Sequence, residues 1–184
     1  MLFRGVGLRV AGGEVLELRG PNGSGKSTLL RILAGLTRAD LGEVEFRGAE
    51  GDRFRHYLGH LDAIKPNETT RQQAVFWARY LGHPVETAMA ALDRVGLTGR
   101  LEAPGRGLSA GQRRRLALSR LLIDPRPVWL LDEPMASLDT RGAELVRALA
   151  AEHLAAGGLI VTAVHGEGFP GARALDVSQF EPAA

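Results

Sequence analysis

The chain has 184 residues, of which 45% are hydrophobic, with no cysteine and a formal net charge of +2. This length allows one compact domain with an ordinary hydrophobic core, and the lack of cysteine excludes disulfides and thiolate metal sites. The small net charge, with basic and acidic residues interspersed, argues against nucleic acid as a partner, and no apolar stretch approaches the roughly 18 to 20 residues that span a bilayer.

A glycine-rich turn between a predicted strand and a predicted helix is the most informative stretch of the chain. The strand covers residues 15–18, and the helix begins where the turn ends and stops near Gly35. Because Gly20, Gly23 and Gly25 have no Cβ, the backbone between them can adopt positive φ and turn successive N–H groups toward one anion. The sequence therefore predicts a phosphate-binding loop.

The turn has the pattern Gly-x4-Gly-Lys-Ser, which is the Walker A loop of nucleotide-binding proteins. Lys26 would place an ammonium group at the mouth of the loop, and the hydroxyl of Ser27 would bind Mg²⁺. The alternative is a surface turn with a stray lysine, which is disfavoured because Lys65 is the only other lysine in the chain. We expect a site for a nucleoside triphosphate with Mg²⁺, formed by nine consecutive residues: Gly20, Pro21, Asn22, Gly23, Ser24, Gly25, Lys26, Ser27 and Thr28.

The remaining predicted elements alternate between strands and helices. Residues 43–46 lie between glycines and alternate in polarity, which predicts a half-exposed, antiparallel strand. Apolar spacing predicts helices at 70–81, 85–95, 110–123 and 141–156, and apolar runs predict strands at 128–131 and 159–164. This order predicts an α/β fold of the P-loop NTPase type, with a mainly parallel sheet and a small antiparallel β part. We expect one domain over residues 1–184, with an inserted helical subdomain at about 66–125.

Two carboxylates, Asp132 and Glu133, follow the apolar strand at 128–131. A buried parallel strand delivers its last residues to the crevice at the carboxyl edge of the sheet, where the glycine-rich loop also begins. Asp132 can hold Mg²⁺ through water, and Glu133 can accept a proton from the water that attacks the γ-phosphate. Because an acidic pair alone is more often a helix cap or a turn, this assignment depends on the glycine-rich loop.

The stretch Leu108-Ser109-Ala110-Gly111-Gln112, followed by three arginines, resembles the signature loop and helix of the ATP-binding cassette family. Ala110 stands where this family usually has glycine. The resemblance implies that these residues contact the ATP held by a second copy of the chain in a head-to-tail dimer. A helix N-cap at Ser109 is compatible with that role, and we interpret the arginine run as a solvated helix face.

Two further positions match the family. Ser137-Leu138-Asp139 resembles the D-loop at the dimer seam, which implies that Asp139 acts across the dimer. The competing interpretation is a helix N-cap by Ser137 or Asp139, and the two roles are compatible. His165 follows the predicted strand at 159–164 and matches the histidine that contacts the γ-phosphate. The resemblance covers essentially the whole chain and implies an ATPase with three catalytic residues: Lys26, Glu133 and His165.

Two features depart from the family pattern. The family normally has a glutamine in the loop that corresponds to residues 57–66, where His60 or Leu61 stands instead. This departure affects the usual link between Mg²⁺ and the membrane partner. The aromatic residue that usually stacks on adenine would lie upstream of this chain, and Phe3 is a poor substitute.

Within the family, the short chain, the Leu-Gly-His and Lys-Pro segments of residues 58–66 and the signature stretch resemble the ATP-binding subunits of bacterial haem exporters for cytochrome c maturation. That resemblance implies integral membrane permease subunits as partners and a peripheral position at the cytoplasmic face of the inner membrane. The alternatives are the ATPase subunit of another exporter, a soluble cassette ATPase of translation or DNA repair, and a small P-loop kinase. Soluble cassette ATPases usually have two cassettes or a long coiled-coil insertion, and a kinase leaves the signature loop unexplained.

Overall fold

The computed structural model of the protein describes residues 3–48 and 54–180. The chain divides into two compact units, each with its own hydrophobic core. The first unit contains Met1–Gly59, Arg126–Pro134 and Leu149–Ala184, and the second contains His60–Pro125 and Met135–Ala148. Within the described residues, none of the helices has the length and apolar character needed to cross a bilayer.

The first unit is built on five strands: β1 (Val15–Arg19), β2 (Arg55–Leu58), β3 (Val128–Asp132), β4 (Leu159–Ala163) and β5 (Arg173–Asp176). They form one parallel sheet in the order β2-β3-β4-β1-β5. The three inner strands are buried along almost their whole length. This burial explains why their sequences are mostly apolar runs, since a strand with water on one face would alternate in polarity.

The carboxyl ends of three neighbouring strands lie side by side in this sheet. β3, β4 and β1 are consecutive, and Ala163 at the end of β4 is in register with both Asp132 of β3 and Leu18 of β1. Helix α1 (Lys26–Leu33) follows β1 and packs against β3 and β4. The segments that follow these three strands therefore meet at one edge of the sheet.

The second unit is helical. It contains α2 (Thr70–Leu81), α3 (Val85–Arg94), α4 (Ala110–Ile123) and the first part of α5 (Thr140–Ala155), whose remaining residues belong to the first unit. Capping boxes begin α2 and α4, in which Thr69 pairs with Gln72 and Ser109 with Gln112. Gly82, in the left-handed region with φ 87°, ends α2. These bounds confirm the predicted helices to within one residue.

The predicted antiparallel strand at 43–46 is wrong. Residues 43–46 form no strand, and the sheet in the described part of the chain is entirely parallel. Glu43, Val44 and Glu45 are exposed, and only Phe46 packs on the core, against Phe54. Alternating polarity is not sufficient for a strand, because a strand needs a hydrogen-bonded neighbour and none of the described segments provides one here.

Two strands were missed by the sequence analysis, and both are edges of the sheet. β2 pairs only with β3, and β5 pairs only with β1. An edge strand buries less side-chain area than an inner strand, so its sequence can be polar. The sequences Arg-His-Tyr-Leu and Arg-Ala-Leu-Asp accordingly lack the apolar run that marks the inner strands.

Candidate nucleotide site

The predicted phosphate-binding loop connects β1 to α1 in the first unit. Gly20, Gly23 and Gly25 have φ of 132°, 84° and 97°, which confirms the expected left-handed turns. Gly25 is the N-cap of α1 and supplies no side-chain hydrogen bond to the first turn. The N–H groups at this helix end are therefore not used by a capping side chain, which is the arrangement that favours an anion.

Lys26 is buried and bonded to the loop itself. Its Nζ donates to the main-chain carbonyls of Gly20 and Pro21, both at 2.8 Å. In the described part of the chain, the Oγ of Ser24 is one of only two buried side-chain polar atoms without a hydrogen-bond partner. A buried ammonium and an unpaired hydroxyl in one glycine-rich loop are groups that phosphate oxygens would satisfy.

An acidic side chain at the end of β5 also borders this loop. A Cβ at Gly20 would come within 3.2 Å of Asp176 Oδ1, so only glycine leaves ordinary spacing there. Hydrogen bonds from Ser178 hold the pKa of the Asp176 carboxyl below its ordinary value, and the charge of Lys26 acts in the same direction. The sequence analysis did not identify Asp176 as a site residue, because the sequence of β5 shows no strand pattern.

Asp132 is the buried last residue of β3, as the sequence predicted. Burial raises the pKa of the Tyr57 hydroxyl on β2, and the negative charge of Asp132 adds to that effect, while Arg31 opposes it. Asp132 thus places a carboxylate at the carboxyl edge of the sheet. The sequence analysis did not identify Tyr57 as a neighbour of Asp132, because it did not predict β2.

Glu133 and His165, which the sequence placed in separate motifs, lie in contact. Oε1 of Glu133 is 3.3 Å from Nε2 of His165. Glu133 has a φ of 51°, which is unusual for a residue with a side chain, and its N–H donates to the carbonyl of Ala163 at 2.9 Å. This turn directs Glu133 away from the line of β3, and its carboxylate meets His165, the second residue after β4.

The residues that resemble a signature loop and a D-loop lie together in the second unit. Ser109 is the exposed N-cap of α4 and accepts a hydrogen bond from the N–H of Gln112 at 3.2 Å. A Cβ at Gly111 would lie 3.0 Å from the carbonyl oxygen of Ser137, so the two loops touch through backbone. Asp139 caps α5 by accepting from the N–H of Gly142 at 2.8 Å. Ser109 and Asp139 therefore both cap helices, which is compatible with the roles that the resemblance implies, and Ser109 remains accessible.

The arginine run is not the solvated face that we inferred. Arg114 is only 3% exposed, and its Nη1 donates to Asp62 Oδ1 at 3.0 Å. Arg113 donates to the carbonyl of Leu108 at 2.6 Å. Arg115 donates to the carbonyls of Val95 and Gly96 at 3.0 and 3.1 Å. All three guanidinium groups are thus bonded within the second unit.

His60 and Leu61, one or other of which the sequence analysis placed at the family's glutamine position, are both exposed. The next residue, Asp62, is the one that pairs with Arg114. The same loop is also held by Gln73 of α2, whose amide accepts from the N–H of Lys65 at 2.9 Å and donates to the carbonyl of Lys65 at 3.2 Å. The position of this loop is thus set by side-chain contacts that motif matching does not detect.

The oxygen-bearing side chains of the candidate site suit a divalent cation that is bound partly by the nucleotide. No cluster of three or more His, Asp or Glu side chains able to hold a metal occurs among residues 3–48 and 54–180. Mg²⁺ does not need one, because it is usually bound by one or two protein oxygens together with phosphates and water. The hydroxyl of Ser27 and the carboxylate of Asp132 are oxygen donors of that kind.

The sequence profile of the ABC transporter family matches residues 3–136, which is more than half of the chain. The chain belongs to the ABC transporter family. This assignment confirms the resemblance drawn from the signature loop and makes the chain an ABC ATPase, the ATP-hydrolysing part of such transporters.

Curated relatives named cytochrome c biogenesis ATP-binding export protein CcmA are similar over most of their length. The relative from Rhodopseudomonas palustris strain BisB5 is 48% identical over 168 residues, which is 89% of this chain and 84% of the relative. The relative from Rhizobium meliloti strain 1021 is 42% identical over 190 residues, covering 98% and 92% of the two chains.

Two solved structures have the same fold. An ABC transporter ATP-binding protein from Pyrococcus furiosus has a TM-score of 0.80 and 22% identity, with 93% of this chain and 88% of that chain covered. A dimeric post-hydrolysis ATP-binding cassette bound to ADP and Pi has a TM-score of 0.78 and 22% identity, with 90% and 80% covered. At this identity the comparison supports the fold alone, and it confirms the predicted P-loop NTPase type.

Proposed function

We propose that this protein is the ATP-hydrolysing subunit of an export complex for cytochrome c biogenesis, with haem as the transported group. The similarity to the CcmA relatives supports this role, at 48% identity over 89% of the chain. Both units would form one nucleotide-binding domain over residues 1–184, in which residues of about 66–125 form the helical subdomain.

The proposed binding step uses the loop between β1 and α1. Its residues 20–28 would surround the β- and γ-phosphates with main-chain N–H groups. Lys26 would exchange its two carbonyl partners, Gly20 and Pro21, for phosphate oxygens. Because an ammonium bonded to phosphate is a charge-assisted contact, the exchange favours binding.

Mg²⁺ fits the proposed site, with Ser27 and Asp132 as the protein oxygens that would hold it. When bound, the ion neutralises charge on the phosphates during phosphoryl transfer. Asp132 is suited to its part because it is buried at the end of an inner strand, which fixes its position.

The proposed hydrolysis step uses the contact between Glu133 and His165. Glu133 would accept the proton of the attacking water, and the water oxygen would form the new bond to the γ-phosphorus as the bond to the leaving ADP breaks. His165 would donate a hydrogen bond to the γ-phosphate. Their 3.3 Å contact supports a shared task, since each side chain limits the positions of the other.

The complete site would form in a head-to-tail dimer. Ser109, Ala110, Gly111 and Gln112 would contact the nucleotide of the second copy, and Asp139 would lie at the seam. The exposure of Ser109 and Ala110 supports this arrangement, because such contacts need accessible groups. The backbone contact between Gly111 and Ser137 would let the signature loop and the D-loop act together.

The proposed partners outside the dimer are integral membrane permease subunits, with no role for nucleic acid. The protein would bind them peripherally at the cytoplasmic face of the inner membrane. ATP hydrolysis would then drive haem handling for cytochrome c maturation.

Two substitutions test the ATPase chemistry. Glu133→Gln should keep ATP binding and lower turnover at least about a hundredfold, because it keeps the shape and removes the proton acceptor. Lys26→Ala should lose affinity itself, and Lys65→Ala is the matched control at the only other lysine. ATP dissociation constants and phosphate release measure both effects. Turnover of Glu133→Gln within about threefold of wild type, or unchanged ATP binding by Lys26→Ala, would contradict these roles.

A cellular experiment tests the export role. Deleting the gene should remove haem-stained c-type cytochromes, and the wild-type gene should restore them while Glu133→Gln does not. Normal cytochrome c levels in the deletion strain would refute the role in cytochrome c biogenesis, even if the purified protein hydrolyses ATP.

A further inference from the structure

A carboxylate is buried in the middle of the sheet of the first unit. Glu17 lies on β1, between β4 and β5, and is only 3% exposed. Burying a charge is costly unless it is paired and hydrogen-bonded. A central strand would be at least as stable with an apolar residue at this position, so the contacts of the carboxylate need an explanation.

The contacts of Glu17 reach the segment that follows His165. Oε1 accepts the N–H of Phe169 at 2.6 Å. Oε2 accepts Nε and Nη2 of Arg19 at 2.9 and 2.6 Å. Arg19 in turn donates from Nη1 to the carbonyl of Gly166 at 3.1 Å. One carboxylate and one guanidinium thus hold both ends of the segment 166–169.

The segment lies directly on the carboxylate. A Cβ added at Gly168 would overlap Oε1 of Glu17, so a residue without a side chain is required there. Phe169 is itself buried. His165, next to Gly166, is the residue that contacts Glu133 at 3.3 Å. The segment that begins next to His165 is therefore joined to β1 at both ends, by the hydrogen bond from Arg19 to Gly166 and by the one from Phe169 to Glu17.

We propose that Glu17 and Arg19 are positioning residues that hold His165 against Glu133 for ATP hydrolysis. This inference rests on the proposed ATPase chemistry. The inference explains why Glu17 and Arg19 are paired on β1, the strand that leads into the phosphate-binding loop. The same strand would thereby set the geometry of both the phosphate-binding loop and the histidine.

Glu17→Gln is the central test. Glutamine has one acceptor oxygen and one NH₂ donor, so it cannot accept from both Arg19 and the N–H of Phe169, and the hold on the segment 166–169 weakens while the side-chain shape stays the same. Since a displacement of about 1 Å can cost about a hundredfold in rate, we expect kcat to fall about tenfold, with KM for ATP within about twofold of wild type. Glu14→Gln is the matched control, because Glu14 accepts a main-chain N–H from Ala11 at the other end of β1. It should keep wild-type kcat.

Two readouts separate positioning from general stability. Amide hydrogen exchange over residues 165–169 should be faster in Glu17→Gln and unchanged in Glu14→Gln. In a His165→Ala background, Glu17→Gln should cause no further loss of kcat, because the group that it positions is gone. If Glu17→Gln does not fold, Arg19→Met, at a half-exposed position, should show the same pattern with a smaller loss.

The outcomes distinguish this inference from the proposed function. If Glu133→Gln is inactive but Glu17→Gln has kcat within about twofold of wild type, the positioning role is wrong and the ATPase chemistry stands. An equal loss of kcat with and without His165 would also overturn it. If Glu133→Gln hydrolyses ATP like wild type, the proposed chemistry is wrong, and the positioning role is overturned with it.

Discussion

Replacing Asp62 by asparagine should destabilise the second unit, because it leaves the buried guanidinium of Arg114 without its carboxylate. The two side chains are 3.0 Å apart, with Arg114 3% and Asp62 21% exposed. Asparagine has nearly the same shape as aspartate and keeps one acceptor oxygen. The substitution therefore removes charge and leaves packing almost unchanged.

The size of the effect follows from these exposures. Breaking a fully buried ion pair by removing one partner costs about 3–5 kcal/mol. The partial exposure of Asp62 and the acceptor that asparagine keeps reduce the expected loss to about 2 kcal/mol. For a chain of this size, about 2–4 °C of Tm is lost per kcal/mol, so Tm should fall by about 4–8 °C.

Chemical and thermal unfolding followed by circular dichroism measure this loss. The control is Glu102→Gln, which breaks the pair of Glu102 with Arg71 in the same unit. Those side chains are 74% and 47% exposed, so the change should be within about 0.5 kcal/mol of wild type. If Asp62→Asn costs no more than Glu102→Gln, the contact with Arg114 does not stabilise the protein and our reasoning is wrong.

Two further predictions concern pH and the dimer. Burial lowers the pKa of His153 below its ordinary value of about 6.5, so the unfolded state binds a proton there more readily than the folded state. The stability that the neutral ring contributes is present above about pH 6.5 and is lost as the pH falls below that value, through the pKa of the folded state. His153→Phe keeps a ring stacked on Trp129 and should make the urea midpoint depend less on pH between about pH 7 and pH 5, and an unchanged pH dependence would refute this role of His153. Ser109→Arg and Lys26→Ala should each be inactive alone, but mixing the two proteins should restore partial ATPase activity, because each heterodimer has one intact composite site. If heterodimers are shown to form and no activity returns at any mixing ratio, the site lies within one chain.

The elements that the sequence predicted well have strong local signals. The bounds of α2 and α4 agree with the predictions because each begins at a capping box, and Gly82 ends α2. The phosphate-binding loop was recognisable because its glycines, which occupy left-handed φ, have few substitutes. In these places the sequence alone determines the local backbone.

Features that depend on distant contacts could not be predicted in this way. Glu17 is a charged residue in the otherwise apolar stretch 15–18, and its burial depends on hydrogen bonds from Arg19 and from Phe169, which is far away in the sequence. The contact between Glu133 and His165 needs the register of β3 with β4, which no local pattern specifies. At residues 43–46 the error is the opposite one: the alternating polarity predicts a strand, but no described segment lies beside these residues to form a sheet with them.

The arginine run shows why a row of like charges need not be one surface. Consecutive residues of a helix point about 100° apart, so three neighbouring arginines must face three directions. In α4 they donate to the carbonyl of Leu108 just before the helix, to the carboxylate of Asp62 in the loop after β2, and to the carbonyls of Val95 and Gly96 just after α3. Each contact fixes the helix against a different segment of the second unit. Since Ser109 caps the same helix, the arginines that follow the signature loop set the position from which its serine would reach the second nucleotide.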